Sequence, residues 1–120
     1  MARILIIDDE QPILTLLRVA LESAGHEVVE AQDGRTGLEL YRQKPADLII
    51  TDILLPELNG LDIILELAHE FLNVKVIAMS GGTERGNFLQ TAKLLGARQT
   101  LQKPFTIEKL LSVVRYELAH

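Results

Sequence analysis

Four short runs, three of them apolar, each end on residues able to handle a cation or a phosphate. Ile4 to Ile7 end on Asp8 and Asp9, Leu48 to Thr51 on Asp52, Val76 to Met79 on Ser80, and Thr100-Leu101-Gln102 on Lys103 and Pro104. If these runs are parallel strands, their carboxyl ends gather three carboxylates, a hydroxyl and an ammonium in one crevice. Two carboxylates about 5 Å apart repel by roughly 3 kcal/mol at an effective dielectric near 20, so the acids together require a cation. Mg2+ suits them, because it prefers hard oxygen ligands in an octahedron and keeps waters, which leaves positions open to a phosphate donor. The crevice is therefore a place to hold Mg2+ and the oxygens of a phosphoryl group. Ser80, followed by Gly81, offers a hydroxyl and a backbone N–H to the same oxygens. Each residue also has a plainer reading. Acids favour helix N-termini, so Asp8 or Asp9 can cap the helix that follows, although capping accounts for one acid and not for two plus Asp52. Asp52 and Ser80 can open turns, and Lys103 can be a surface lysine before a turn proline.

These residues need elements to hold them. Ile4 to Ile7 and Leu48 to Thr51 are unbroken apolar runs too short for helices, which suits strands covered on both faces. After the first, Ile13, Leu14, Leu17, Ala20, Leu21 and Ala24 recur at helical spacing, with Pro12 in the first turn and Gly25 at the far end. Val28 and Val29 predict a weaker strand. Asp33-Gly34 ends it before a helix carrying Leu38, Leu40 and Tyr41, which Pro45 stops. The stretch from Pro56 to Gly60 is dense in turn residues, and Leu61, Ile64, Leu65, Ala68 and Phe71 follow at helical spacing. Val74, Val76, Ile77 and Ala78 predict a fourth strand, and Gly81-Gly82 a mobile loop. Phe88, Leu89, Ala92 and Leu95 mark a helix ending at Gly96. Arg98 to Gln102 is polar enough for an edge strand. Ile107, Leu110, Leu111, Val114 and Leu118 mark the last helix. This alternation predicts an α/β fold: a doubly wound, five-stranded parallel sheet with five helices and right-handed crossovers. The order 2-1-3-4-5 sets the two acid-ended strands at the switch point where ligands bind.

Composition narrows the function classes. A length of 120 residues fits one domain, 1–120, with a radius of gyration of about 14 Å. Without cysteine there is no disulfide framework or thiolate metal site, and no leader-like N-terminal stretch is evident, so a cytoplasmic location is expected. No apolar run approaches the roughly 20 residues of a membrane span. Lys+Arg 12 against Asp+Glu 17, a net charge of −5, disfavours direct nucleic-acid binding. His26, His69 and His120 share no ligand-like spacing and read as surface residues.

The set Asp8-Asp9, Asp52 with Pro56 and Gly60 after it, Ser80, and Lys103-Pro104-Phe105 resembles the receiver domain of two-component response regulators, of the chemotaxis-regulator kind. The resemblance covers the whole chain and implies a flavodoxin-like fold. It implies that Asp9, Asp52 and the backbone carbonyl of Leu54 ligate Mg2+, with Asp8 acting through water. It implies that Asp52 receives a phosphoryl group from a phosphohistidine on a sensor histidine kinase or histidine phosphotransfer protein. The chain would then catalyse only its own phosphorylation and dephosphorylation. It also implies a cis Lys103–Pro104 peptide bond, and a conformational switch read through Ser80 and Lys103. One position departs from the pattern: many receivers carry an aromatic residue three before the lysine, and here that residue is Thr100. A threonine lacks the volume for that gate, which leaves weak output through the last elements, or onward relay of phosphoryl groups. Two rivals use the same fold. A flavodoxin-like mononucleotide binder needs a glycine- and hydroxyl-rich loop after the first strand, where Asp8-Asp9-Glu10 would repel phosphate. A degenerate receiver would serve as an interaction scaffold. An aspartate-nucleophile phosphohydrolase would want Asp-x-Asp after the first strand, which the chain lacks.

Overall fold

The apolar runs do form strands. In the computed structural model, which describes residues 1–55, 58–81 and 88–120 (Phe88 and Leu89 by backbone alone), β1 is Arg3–Ile7, β3 Leu48–Asp52 and β4 Val76–Gly81. Nearly every side chain of these three is withdrawn from water, as a strand roofed on both faces requires. The more polar β2 (Glu27–Ala31) and β5 (Gln99–Lys103) take the edges, giving the order β2-β1-β3-β4-β5 with every neighbouring pair parallel. Both the expected order and the edge position of the fifth strand are observed. Helices α1 (Gln11–Ser23), α2 (Gly34–Gln43), α3 (Gly60–Glu70), α4 (Phe88–Leu95) and α5 (Ile107–Ala119) alternate with the strands.

Side chains alternate between the faces of a strand, so each run feeds two cores. Ile4, Ile6, Ile50, Ile77 and Met79 meet Leu14, Leu17 and Leu21 of α1 and Leu110 and Val114 of α5. Leu5, Ile7, Ile49 and Ala78 meet Leu38, Ile63, Ile64, Leu67 and Ala92 on the other face. Each fully buried aliphatic side chain contributes about 1.5–3 kcal/mol, and together they hold the strand ends in a common register.

Local signals start and stop the helices. Asp33, Asn59 and Thr106 accept the N–H groups of Thr36, Asp62 and Lys109 at 2.8, 3.0 and 3.0 Å, capping α2, α3 and α5. Gly25 follows α1 at a φ of 94°, where a side chain would be strained.

The buried face of α3 differs from the sequence expectation. Gly60, Ile63, Ile64 and Leu67 are buried, while Leu65 and Ala68 are exposed. Both stripes are apolar, so spacing alone does not choose between them. The choice falls to Gly60, whose N–H donates to Ile53 O at 2.7 Å and whose added Cβ would lie 2.2 Å from Asp52 O. Gly60 must face β3, and the helix rotates accordingly. Pro56 and Gly82 lie outside the described residues. Among the described residues, no helix is long and apolar enough to cross a membrane.

Candidate functional site

The adjacent carboxyl ends of β1 and β3 bring Asp8 and Asp52 together. Asp8 is fully buried just after β1, where its Oδ1 accepts the Glu10 N–H at 2.9 Å and its backbone N–H donates to Ala31 O at 3.1 Å. Asp52 closes β3, 6 % exposed, and its Oδ1 accepts the Leu54 N–H at 3.3 Å. Lys103 ends the edge strand β5 and reaches both acids: its Nζ donates to Asp8 Oδ2 at 2.8 Å and to Asp52 Oδ2 at 3.2 Å. The Lys103–Pro104 bond is cis, in keeping with the resemblance. Ser80 is buried near the end of β4, its Oγ donating to Gly81 O at 3.4 Å. Thr100 is half-buried in β5 opposite Ala78.

A crevice of about 310 Å³ opens here, lined by Asp9, Glu10, Asp52, Leu54, Gly81 and Lys103. Asp9 is exposed along it, as is Leu54. Sequence reasoning gave Glu10 no place in the cation site, yet its Oε1 lies 3.6 Å from Lys103 Nζ. Asp8, Glu10 and Asp52 each offer a carboxylate oxygen within 4.8 Å of the others. The available signal was its position directly after the paired aspartates, at the start of a helix.

The charges do not balance. Burial pushes the Asp8 carboxyl above its ordinary 3.8, against the hydrogen bond from Lys103 and the Glu10 N–H. Burial raises Asp52 as well, opposed by the Lys103 charge and reinforced by that of Asp8. Burial acts to lower Lys103, but its bond to Asp8 and the charges of Asp52 and Asp8 prevail, so its pKa is raised. Among the described residues, one ammonium thus serves three carboxylates. A crevice of hard oxygens with surplus negative charge fits a divalent cation.

The histidines lie elsewhere. His26 is half-buried, against the surface reading: its Nδ1 accepts the Ala2 N–H at 3.2 Å, and burial lowers its pKa, as does the nearby N-terminal charge. The cause is tertiary, because Ala2 reaches it by running beside the start of β2. His69 and His120 are exposed.

The family model described as the response regulator receiver domain matches residues 4–115. The chain belongs to that family: it is a receiver domain of response regulators, with the flavodoxin-like arrangement expected of one. It is 34 % identical over 95 % of its length to a probable transcriptional regulatory protein of Picosynechococcus, and spans 48 % of that relative. It is 36 % identical to the PilH protein of Pseudomonas aeruginosa, covering 99 % of both chains. A crystal structure of a putative response regulator from Chloroflexus aurantiacus superposes with a TM-score of 0.92 at 26 % identity, covering 99 % of this chain and 98 % of that one. The chain spans about half the length of several curated relatives it matches.

Proposed function

We propose that this receiver takes a phosphoryl group onto Asp52 from a phosphohistidine on a sensor histidine kinase or histidine phosphotransfer protein. The observation that carries the reading is the Asp52 carboxylate at the crevice, with the ammonium of Lys103 bridging it to Asp8. An Asp52 oxygen attacks phosphorus in line and a P–O bond forms. The P–N bond to the donor breaks, and the histidine nitrogen leaves with the electron pair and is protonated from water.

Asp8, Asp9, Asp52 and the Leu54 carbonyl are the residues that would hold Mg2+, which when bound supplies positive charge against the phosphoryl oxygens. Before transfer, Lys103 screens Asp52 from Asp8 across contacts of 3.2 and 2.8 Å. After transfer its ammonium pairs with the phosphoryl oxygens, and the Ser80 hydroxyl donates to another. That exchange of partners is the switch. With Thr100 in the usual aromatic position, it rests on Ser80 and Lys103 in place of an aromatic rotamer. The chain works as one cytoplasmic receiver unit, acts on no separate substrate, and binds neither nucleic acid nor membrane directly.

The test is labelling by acetyl phosphate with Mg2+, read by intact mass. Wild-type protein gains one phosphoryl group and Asp52→Asn gains none; undiminished labelling of the variant overturns the assignment.

A further inference from the structure

Glu10 occupies the N-cap position of α1, where a short polar side chain ordinarily turns back to bond the helix's free N–H groups. Its side chain makes no such bond. Its backbone carbonyl accepts from Ile13 and Leu14 at 3.1 and 3.2 Å, so the helix start is held without the carboxylate. The carboxylate points into the crevice, with Oε1 3.6 Å from Lys103 Nζ and an oxygen within 4.8 Å of both Asp8 and Asp52. The Asp8 side chain fixes this arrangement by accepting the Glu10 N–H at 2.9 Å. Asp8 is wholly buried and Glu10 is on the rim, its side chain 63 % exposed.

We propose that Glu10 is the rim carboxylate of the cation site, setting how tightly Mg2+ is held. The inference rests on the metal reading given above. A divalent cation seated among Asp8, Asp9 and Asp52 would feel the Glu10 charge from about 5 Å. At the dielectric of water an interaction of that size is worth roughly tenfold in affinity, and salt reduces it because the group is exposed. Without the cation its contact is the 3.6 Å one to Lys103, an ion pair exposed at its Glu10 end that adds little to stability.

Because the chain has no tryptophan, Mg2+ binding is best followed by amide NMR shifts of the crevice residues during titration. Glu10→Gln should raise the Mg2+ Kd roughly three- to tenfold. Glu22→Gln, at the other end of α1 and about 18 Å away along the helix axis, should leave it unchanged. Melting in chelator should be the same for Glu10→Gln and wild type, which separates a cation effect from a structural one. A Kd for Glu10→Gln within about 1.5-fold of wild type, or an equal loss in Glu22→Gln, overturns the inference while leaving the receiver reading intact. Failure of the wild-type protein to bind Mg2+ would overturn both.

Discussion

Lys103 joins otherwise separate groups. Its ammonium contacts Asp8, Asp52 and Glu10 at 2.8, 3.2 and 3.6 Å, so it already lies where charge on a phosphorylated Asp52 would appear. Chemistry at phosphorus needs the nucleophile and the cation, whereas the consequence of phosphorylation needs a group that changes partners. Lys103→Ala should therefore still be labelled by acetyl phosphate, at a rate reduced about tenfold or more for the lost positive charge. It should not show the amide shift changes in β4, β5 and α5 that labelling produces in wild type. A wild-type shift pattern in labelled Lys103→Ala would place the switch elsewhere.

Elements carry constraints that single residues do not show. Helix α3 begins so close to β3 that Gly60 has no room for a side chain: an added Cβ would lie 2.2 Å from Asp52 O and 2.7 Å from Ile53 Cα. Both obstacles are backbone, so relief requires moving the helix or the end of the strand that carries Asp52. Gly60→Ala should cost about 2–4 kcal/mol in urea unfolding and also slow labelling by displacing Asp52. A loss below about 0.5 kcal/mol would mean that the helix start yields easily.

Stability should depend on pH in an unusual direction, because the whole fold buries the acids. For Asp8 and Asp52 the folded pKa is raised above 3.8 by burial. Their contribution to stability is full below 3.8 and is lost as pH rises through the raised values. Lys103, raised above 10.5, contributes below 10.5 and loses that contribution as pH rises through its own raised value. In metal-free buffer, Asp52→Asn should be more stable than wild type at pH 7 by about 1 kcal/mol, since it removes one buried negative charge. The advantage should shrink as pH falls toward 4. Urea unfolding of both proteins across that range is the check, and a difference that does not vary with pH would contradict the account.

Much of this protein is legible in local sequence because its signals act over a few residues. Unbroken runs such as Ile4 to Ile7 dictate buried strands, Asp33-Gly34 marks the passage from a strand to a helix, and acids at the ends of alternate strands mark the crevice. Strand order followed from the chemistry, because the two acid-ended strands had to be neighbours for the crevice to form. Three features depended on contacts between distant segments. The rotation of α3 was settled by the approach of Gly60 to β3, where two apolar stripes were equally plausible by spacing. The half-burial of His26 came from Ala2 running beside it. The placement of Glu10 with Asp8 and Asp52, and of Lys103 between them, required three strands in register. Spacing along a chain decides which element forms, but a helix's rotation and a side chain's partner are decided by what the packed sheet brings within a few ångströms.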